Sequence, residues 1–212
     1  GTFFRENRTA ATCDELSPWL GKALVATEDE RFYNHSGIDF KSTLRALVTL
    51  GSEGGGSTIT QQLAKALLAQ GSRNKAWRVI EKLKEWIIAV KLEKNFTKEE
   101  IITLYLNAVP FGNNIYGIRN ASRTFFQKEP DRLNIEEAAL LIGMLKGNSI
   151  YNPVRNPKAA LDRRNVVIGQ MEVNNKITAE QAAQLKATPI QLNYKKMDEN
   201  TGYAPYFREI LK

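Results

Sequence analysis

The chain has 212 residues, 42% hydrophobic and 25% charged, with 30 Lys and Arg against 23 Asp and Glu, a formal net charge of +7. That composition excludes a disordered chain, and the length admits one large domain or two small ones. A lone cysteine, Cys13, and a lone histidine, His35, exclude an internal disulfide framework and a zinc site of His and Cys ligands; no apolar run approaches the ~20 residues of a membrane-spanning helix.

The predicted elements are almost all helical. Residues 20–30 form a short amphipathic segment running into a polar turn. Residues 42–50 read as a helix stopped by Gly51, and the glycine-rich stretch 52–56 should be mobile. Ser57 or Thr58 caps the next helix, 59–69, and a long helix follows over 75–94. Thr97 with Glu100 three residues on is a capping box, so a helix runs from there through Asn107 and is broken by 110–113. Further helices are predicted over 115–126, over 135–146 behind an Asn134 cap, over 159–172, and after a Thr178 cap. The two prolines of 151–157 mark a loop, and 190–194 reads as a short strand or a linker. The fold class is mainly α, with no internal repeat.

Three segments could carry chemistry. In the first, Glu28 follows the apolar run Ala23-Leu24-Val25-Ala26 and precedes Asp29 and Glu30. A carboxylate half-removed from water is a usable general base, although adjacent acids more often mark a solvated helix end. In the second, Gly54-Gly55-Gly56-Ser57-Thr58 leads into a helix start, where free N–H groups suit an anion. Its spacing mimics a nucleotide-binding loop, but Ser57 stands where that motif needs lysine. Gln61 and Lys65 share the helical face that follows, which suits sugar hydroxyls and phosphate oxygens. A flexible loop before a well-capped helix explains the same residues.

In the third segment, Ile80, Leu83, Ile87 and Val90 form one apolar stripe. Glu85 lies nearly opposite that stripe, yet its own neighbours are Ile88 and Ala89. A helix apolar on two sides should be central, with Glu85 facing inward; an ordinary ion pair with Lys82, three residues before it, is the alternative. Two separated carboxylates on a helical scaffold, with a donor-rich loop and several lysines, form the pattern of glycosyl chemistry.

Taken together, these segments resemble the peptidoglycan glycosyltransferase domain, the lysozyme-like family (glycosyltransferase family 51) of class A penicillin-binding proteins and monofunctional transglycosylases. Five blocks in the family's order carry the resemblance over nearly the whole chain. They are Glu28-Asp29 with Phe32, His35 and Gly37; Gly56 through Gln62; Lys82 with Glu85; Lys98 through Asn107; and Arg163-Arg164 with Val167. One position departs: Glu81 precedes Lys82 where the family usually has arginine, which removes a positive charge.

The resemblance implies a lysozyme-like helical domain over 1–188, with a larger globular lobe and a smaller, mobile, membrane-facing lobe about 50–78. Residues 189–212 would begin a linker toward a transpeptidase domain, and an N-terminal transmembrane anchor would precede the chain. The implied reaction polymerises lipid II, with Glu28 as base and Glu85 organising the donor pyrophosphate. Lys65, Arg73 and Lys82 would sit beside phosphate oxygens; Ser57, Thr58, Gln61 and Gln62 would hydrogen-bond the donor. Asp29, His35, Asn148 and Arg163 are further substrate-side candidates. No cofactor is required, with room for a divalent cation, Mg or Mn, near Glu85. Expected partners are lipid II, the growing glycan chain, the bacterial cytoplasmic membrane at its outer face, and moenomycin-type inhibitors, but no nucleic acid.

Two rival classes share some of these features. A lysozyme-like lytic enzyme also uses a glutamate on a helical fold, but hydrolysis has no pyrophosphate leaving group and no need for so many cations. The second is a non-enzymatic basic module for membrane or nucleic acid; the basic residues are scattered among acids rather than clustered with aromatics, which is poor for a nucleic-acid groove.

Overall fold

The computed structural model describes residues 10–41, 56–68, 75–112 and 114–196, with 75–79 as backbone only. Eight α-helices form among them. The first, α1 (Pro18–Glu28), starts earlier than the hydrophobic pattern suggests because Ser17 and Pro18 build its first turn. The Ser17 hydroxyl accepts the Trp19 N–H and donates to the Leu133 carbonyl, while Pro18 sits where no N–H is needed. Pro157 plays the same part at the head of α7 (Pro157–Val173), again extending a helix back into a predicted loop.

Three predicted capping boxes or caps hold. Thr97 and Glu100 open α4 (Lys98–Ala108), Asn134 and Glu137 open α6 (Ile135–Met144), and Thr178 with Gln181 opens α8 (Ala179–Ala187). Thr58 rather than Ser57 caps α2 (Ile59–Leu67). The long α3 runs over Lys75–Asn95. By contrast, α5 (Ile118–Phe126) begins later than predicted. Residues 110–116 close on themselves through a Pro110–Tyr116 bridge, and Gly117 (φ 80°) turns the chain into the helix. The predicted helix at 42–50 and most of the glycine-rich stretch lie outside the described residues.

Helix α1 is the central strut. It packs against α6 and α7, while α2 packs against α3 and α4, and α8 lies on α7. Leu20, Leu24, Phe32, Ile59, Leu63 and Leu106 are fully buried between these groups. Residues 190–195 form no named strand; they run along α5, where the Asn193 and Lys195 N–H groups donate to the Phe125 and Thr124 carbonyls. Tyr194 packs its ring on Phe125 at 5.9 Å.

The orientation of α3 corrects one expectation. Glu85 and Ala89 are buried as predicted, but Ile80, Leu83 and Ile87 are 42%, 51% and 58% exposed. The stripe expected to meet the core faces outward. Periodicity shows that a helix has an apolar face, not what covers it.

Candidate active site

The site begins where α1 ends. Glu28 is the last residue of that helix, and Asp29 follows as its C-cap. The Asp29 carboxylate accepts the Ile59 N–H at 3.1 Å, at the first residue of α2. An anionic acceptor at a helix N-terminus is favourable twice over, by hydrogen bonding and by the helix dipole. The end of α1 is thereby tied to the start of α2.

His35 braces the same joint. Its Nδ1 accepts the Gly37 N–H at 3.2 Å, so Nε2 carries the proton and donates to Asp29 at 3.0 Å. Gly37 (φ 90°) lies so close to α3 that a Cβ there would stand 3.0 Å from the Ala89 carbonyl. Thr58 completes the brace: its hydroxyl accepts the Gln61 N–H and donates to the Gly37 carbonyl at 2.7 Å.

Above this brace lies an open cleft of about 680 Å³. Glu28, Ser57, Gln61, Gln62, Lys65, Lys82 and Glu85 all line it, together with Tyr105, Leu145 and Lys146. The two carboxylates have different surroundings. Glu28 is partly exposed; its Oε2 accepts the Gln62 amide at 3.2 Å, and Arg163 Nη2 stands 3.9 Å from its Oε1. Glu85 is buried and ion-paired with Lys82 at 2.9 Å, and the same ammonium donates to the Ser57 hydroxyl at 2.8 Å. Lys82 is thus fixed between a carboxylate and a hydroxyl while 39% of its side chain stays open to the cleft. Gln61 is 1% exposed, and among the described residues neither polar atom of its amide has a partner. A buried unpaired amide is costly.

Seven of the candidate residues read from the sequence are therefore brought to one cleft. Asp29, His35 and Thr58 are not on its wall; their polar groups are committed to the brace beneath it. Asn148 also lies off the wall, its amide donating to the Pro110 carbonyl. Arg163 reaches the site only through Glu28, with its guanidinium 5.9 Å from the Tyr151 ring centre. Arg73 lies outside the described residues. Lys146 and Tyr105 were not anticipated. Lys146 follows the apolar end of α6 and adds a cation to the cleft. Tyr105 stood inside a recognised block without an assigned task.

The Glu85 carboxylate already holds the Lys82 ammonium at its Oε2. Among the described residues no group of three or more His, Cys, Asp and Glu side chains converges on a point. That donor set does not build a divalent-cation site by itself.

Comparison with known proteins places the chain in a family. A profile described as Transglycosylase matches residues 1–172. Penicillin-binding protein 1F of Bacillus subtilis is 35% identical over all of this chain and 30% of its own length. Penicillin-binding protein 1A of Escherichia coli is 36% identical over 98% of this chain and 24% of its own length. The crystal structure of penicillin-binding protein 1A from Haemophilus influenzae shares the fold, with a TM-score of 0.54 and 22% identity over 96% of this chain and 20% of that one. The chain belongs to the transglycosylase family, the peptidoglycan glycosyltransferases of class A penicillin-binding proteins. It spans about a quarter to a third of the length of these two curated relatives.

Proposed function

We propose that this domain polymerises lipid II into β-1,4-linked glycan strands and releases undecaprenyl pyrophosphate. The observation that carries the reading is one cleft holding two carboxylates in unlike settings, with Lys65, Lys82 and Lys146 around them. An α-linked donor and a β-linked product require inversion, and a single displacement needs a base and a stabilised leaving group. Glu28 takes the proton from the acceptor 4-hydroxyl as that oxygen attacks the donor anomeric carbon. The bond from that carbon to the pyrophosphate breaks, and its electrons leave on the phosphate oxygen. Lys82, steered by Glu85 and Ser57, and Lys65 meet the charge that develops there. Point charges suit a pyrophosphate, which offers oxygens in several directions.

The cations also weigh against the lytic reading, whose leaving group is a sugar hydroxyl rather than a pyrophosphate. Two outward features suit a lipid-linked substrate at the outer face of the cytoplasmic membrane. Ile80, Leu83 and Ile87 are exposed on α3, and Leu67 at the end of α2 is 59% exposed. Leu68, next in the chain, lines the cleft itself. An apolar surface beside a charged cleft lets the sugar pyrophosphate enter while its tail stays in lipid.

Two variants separate the roles of the carboxylates. Glu28→Gln should lower turnover by ~10²–10⁴, the usual contribution of a general base, with moenomycin affinity close to parental. Glu85→Gln should weaken moenomycin binding as well as turnover, because it loosens Lys82. Parental affinity and turnover in Glu85→Gln would reduce that residue to a structural ion-pair partner.

A further inference from the structure

Gln62 makes two contacts, and together they fix which way its amide points. Its Nε2 faces Glu28 Oε2 at 3.2 Å, and its Oε1 faces the Tyr105 hydroxyl at 2.9 Å. An ionised carboxylate only accepts, so the amide must present its N–H₂ to Glu28 whenever Glu28 is charged. The amide oxygen is then turned to Tyr105, and the phenol must donate to it. Tyr105 is 3% exposed, and burial, reinforced by the charge of Glu28, pushes its phenol well above the ordinary tyrosine range, so the proton stays on the ring oxygen. The three residues come from three helices: Glu28 from α1, Gln62 from α2 and Tyr105 from α4.

We propose that Tyr105 is a positioning residue for Glu28, acting through Gln62: its hydroxyl locks the amide in the one orientation that supports a charged base. This rests on the reading of Glu28 as the base. Without the hydroxyl, the Gln62 amide can turn its oxygen toward Glu28, where a carbonyl favours the protonated acid over the carboxylate. Glu28 would then be a poorer acceptor for the sugar proton, although the substrate contacts of the cleft would be intact. The other groups near Glu28 do not duplicate this lock. Arg163 on α7 stands 3.9 Å from the opposite carboxylate oxygen, beyond hydrogen-bond reach. Lys65, Lys82, Glu85 and Lys146 line the same cleft; Lys82 and Glu85 are paired with each other, and none of the four is placed in hydrogen-bond contact with Glu28.

The test is the pH profile of lipid II polymerisation by Tyr105→Phe, which keeps the buried ring and removes only the hydroxyl. At neutral pH its kcat should fall about five- to tenfold, the scale of one lost hydrogen bond, with KM for lipid II within about twofold of parental. The acid limb of kcat/KM should move to higher pH, which a loss of folded protein would not produce. Gln62→Met removes the amide outright and should move the limb at least as far; adding Tyr105→Phe to it should move the limb no further. A parental acid limb in Tyr105→Phe, or in Gln62→Met should the first variant not fold, would overturn the proposal, as would an independent shift in the double variant. Glu28→Gln, run alongside, separates the two levels. If it polymerises lipid II within a few-fold of parental, the base reading fails and this inference with it. If it is inactive while Tyr105→Phe keeps a parental limb, the inference alone fails.

Discussion

Single residues at the joint of α1 and α2 divide into those that face the substrate and those that hold them there. Glu28 and Asp29 are neighbours in sequence, yet one reaches the cleft and the other is enclosed by the Ile59 N–H and His35. A run of acids in a sequence does not show this division, because it depends on what the next helix brings to each carboxylate. The same holds for Gln61 and Gln62: one amide is buried without partners among the described residues, the other bridges Glu28 and Tyr105. Glu85 was legible because its neighbours along the helix are apolar, and its ion pair with Lys82 needs only helical spacing. Lys146 and Tyr105 were not, since each reaches the cleft through long-range packing. The brace makes a distinct prediction. Asp29→Asn keeps the size but loses the charge that serves two donors, and should cost about 1–3 kcal/mol of stability. Thermal unfolding checks the loss, and moenomycin affinity of the folded fraction should stay near parental; a selective loss of affinity at unchanged stability would place Asp29 in contact with substrate instead.

At the scale of elements, caps were the most readable feature and faces the least. The boxes at Thr97, Asn134 and Thr178 are local in sequence and appear as predicted, because three or four residues suffice to form them. Two helix starts lie earlier than predicted: the amphipathic pattern shows the first helix only from residue 20, after Ser17 and Pro18, and Pro157 falls within the predicted loop 151–157. For α3 the pattern gave an apolar stripe and an inward glutamate, but both faces of the helix are functional in the proposed reading. Glu85 serves the cleft, and Ile80, Leu83 and Ile87 form an outward apolar row. If that row meets lipid, Leu83→Ser with Ile87→Ser should reduce co-sedimentation with anionic liposomes severalfold. Because both side chains are more than half exposed, stability should change by less than about 1 kcal/mol. Parental co-sedimentation would remove this row from the membrane-facing surface.

For the whole molecule, the helical architecture sets a central strut, α1, whose end supplies one carboxylate, against a second group of helices, α2 to α4, that supplies the other with Lys65 and Lys82, while Lys146 follows α6. The Asp29–Ile59 tie and the Gln62–Glu28 contact both join α1 to α2 and hold the two groups in register. The mainly α fold and the order of the motif blocks were legible from sequence because each block is short and local. The division into two lobes and the membrane-facing stretch about 50–78 was an expectation from resemblance, and much of that stretch lies outside the described residues. The central claim is that this cleft joins sugars by expelling a lipid pyrophosphate. The most direct measurement is incubation of the protein with labelled lipid II, followed by sizing of the product with and without moenomycin. The account predicts long glycan strands that disappear with moenomycin and in Glu28→Gln. Unreacted lipid II with active parent protein, or shortening of preformed glycan in place of polymerisation, would contradict it.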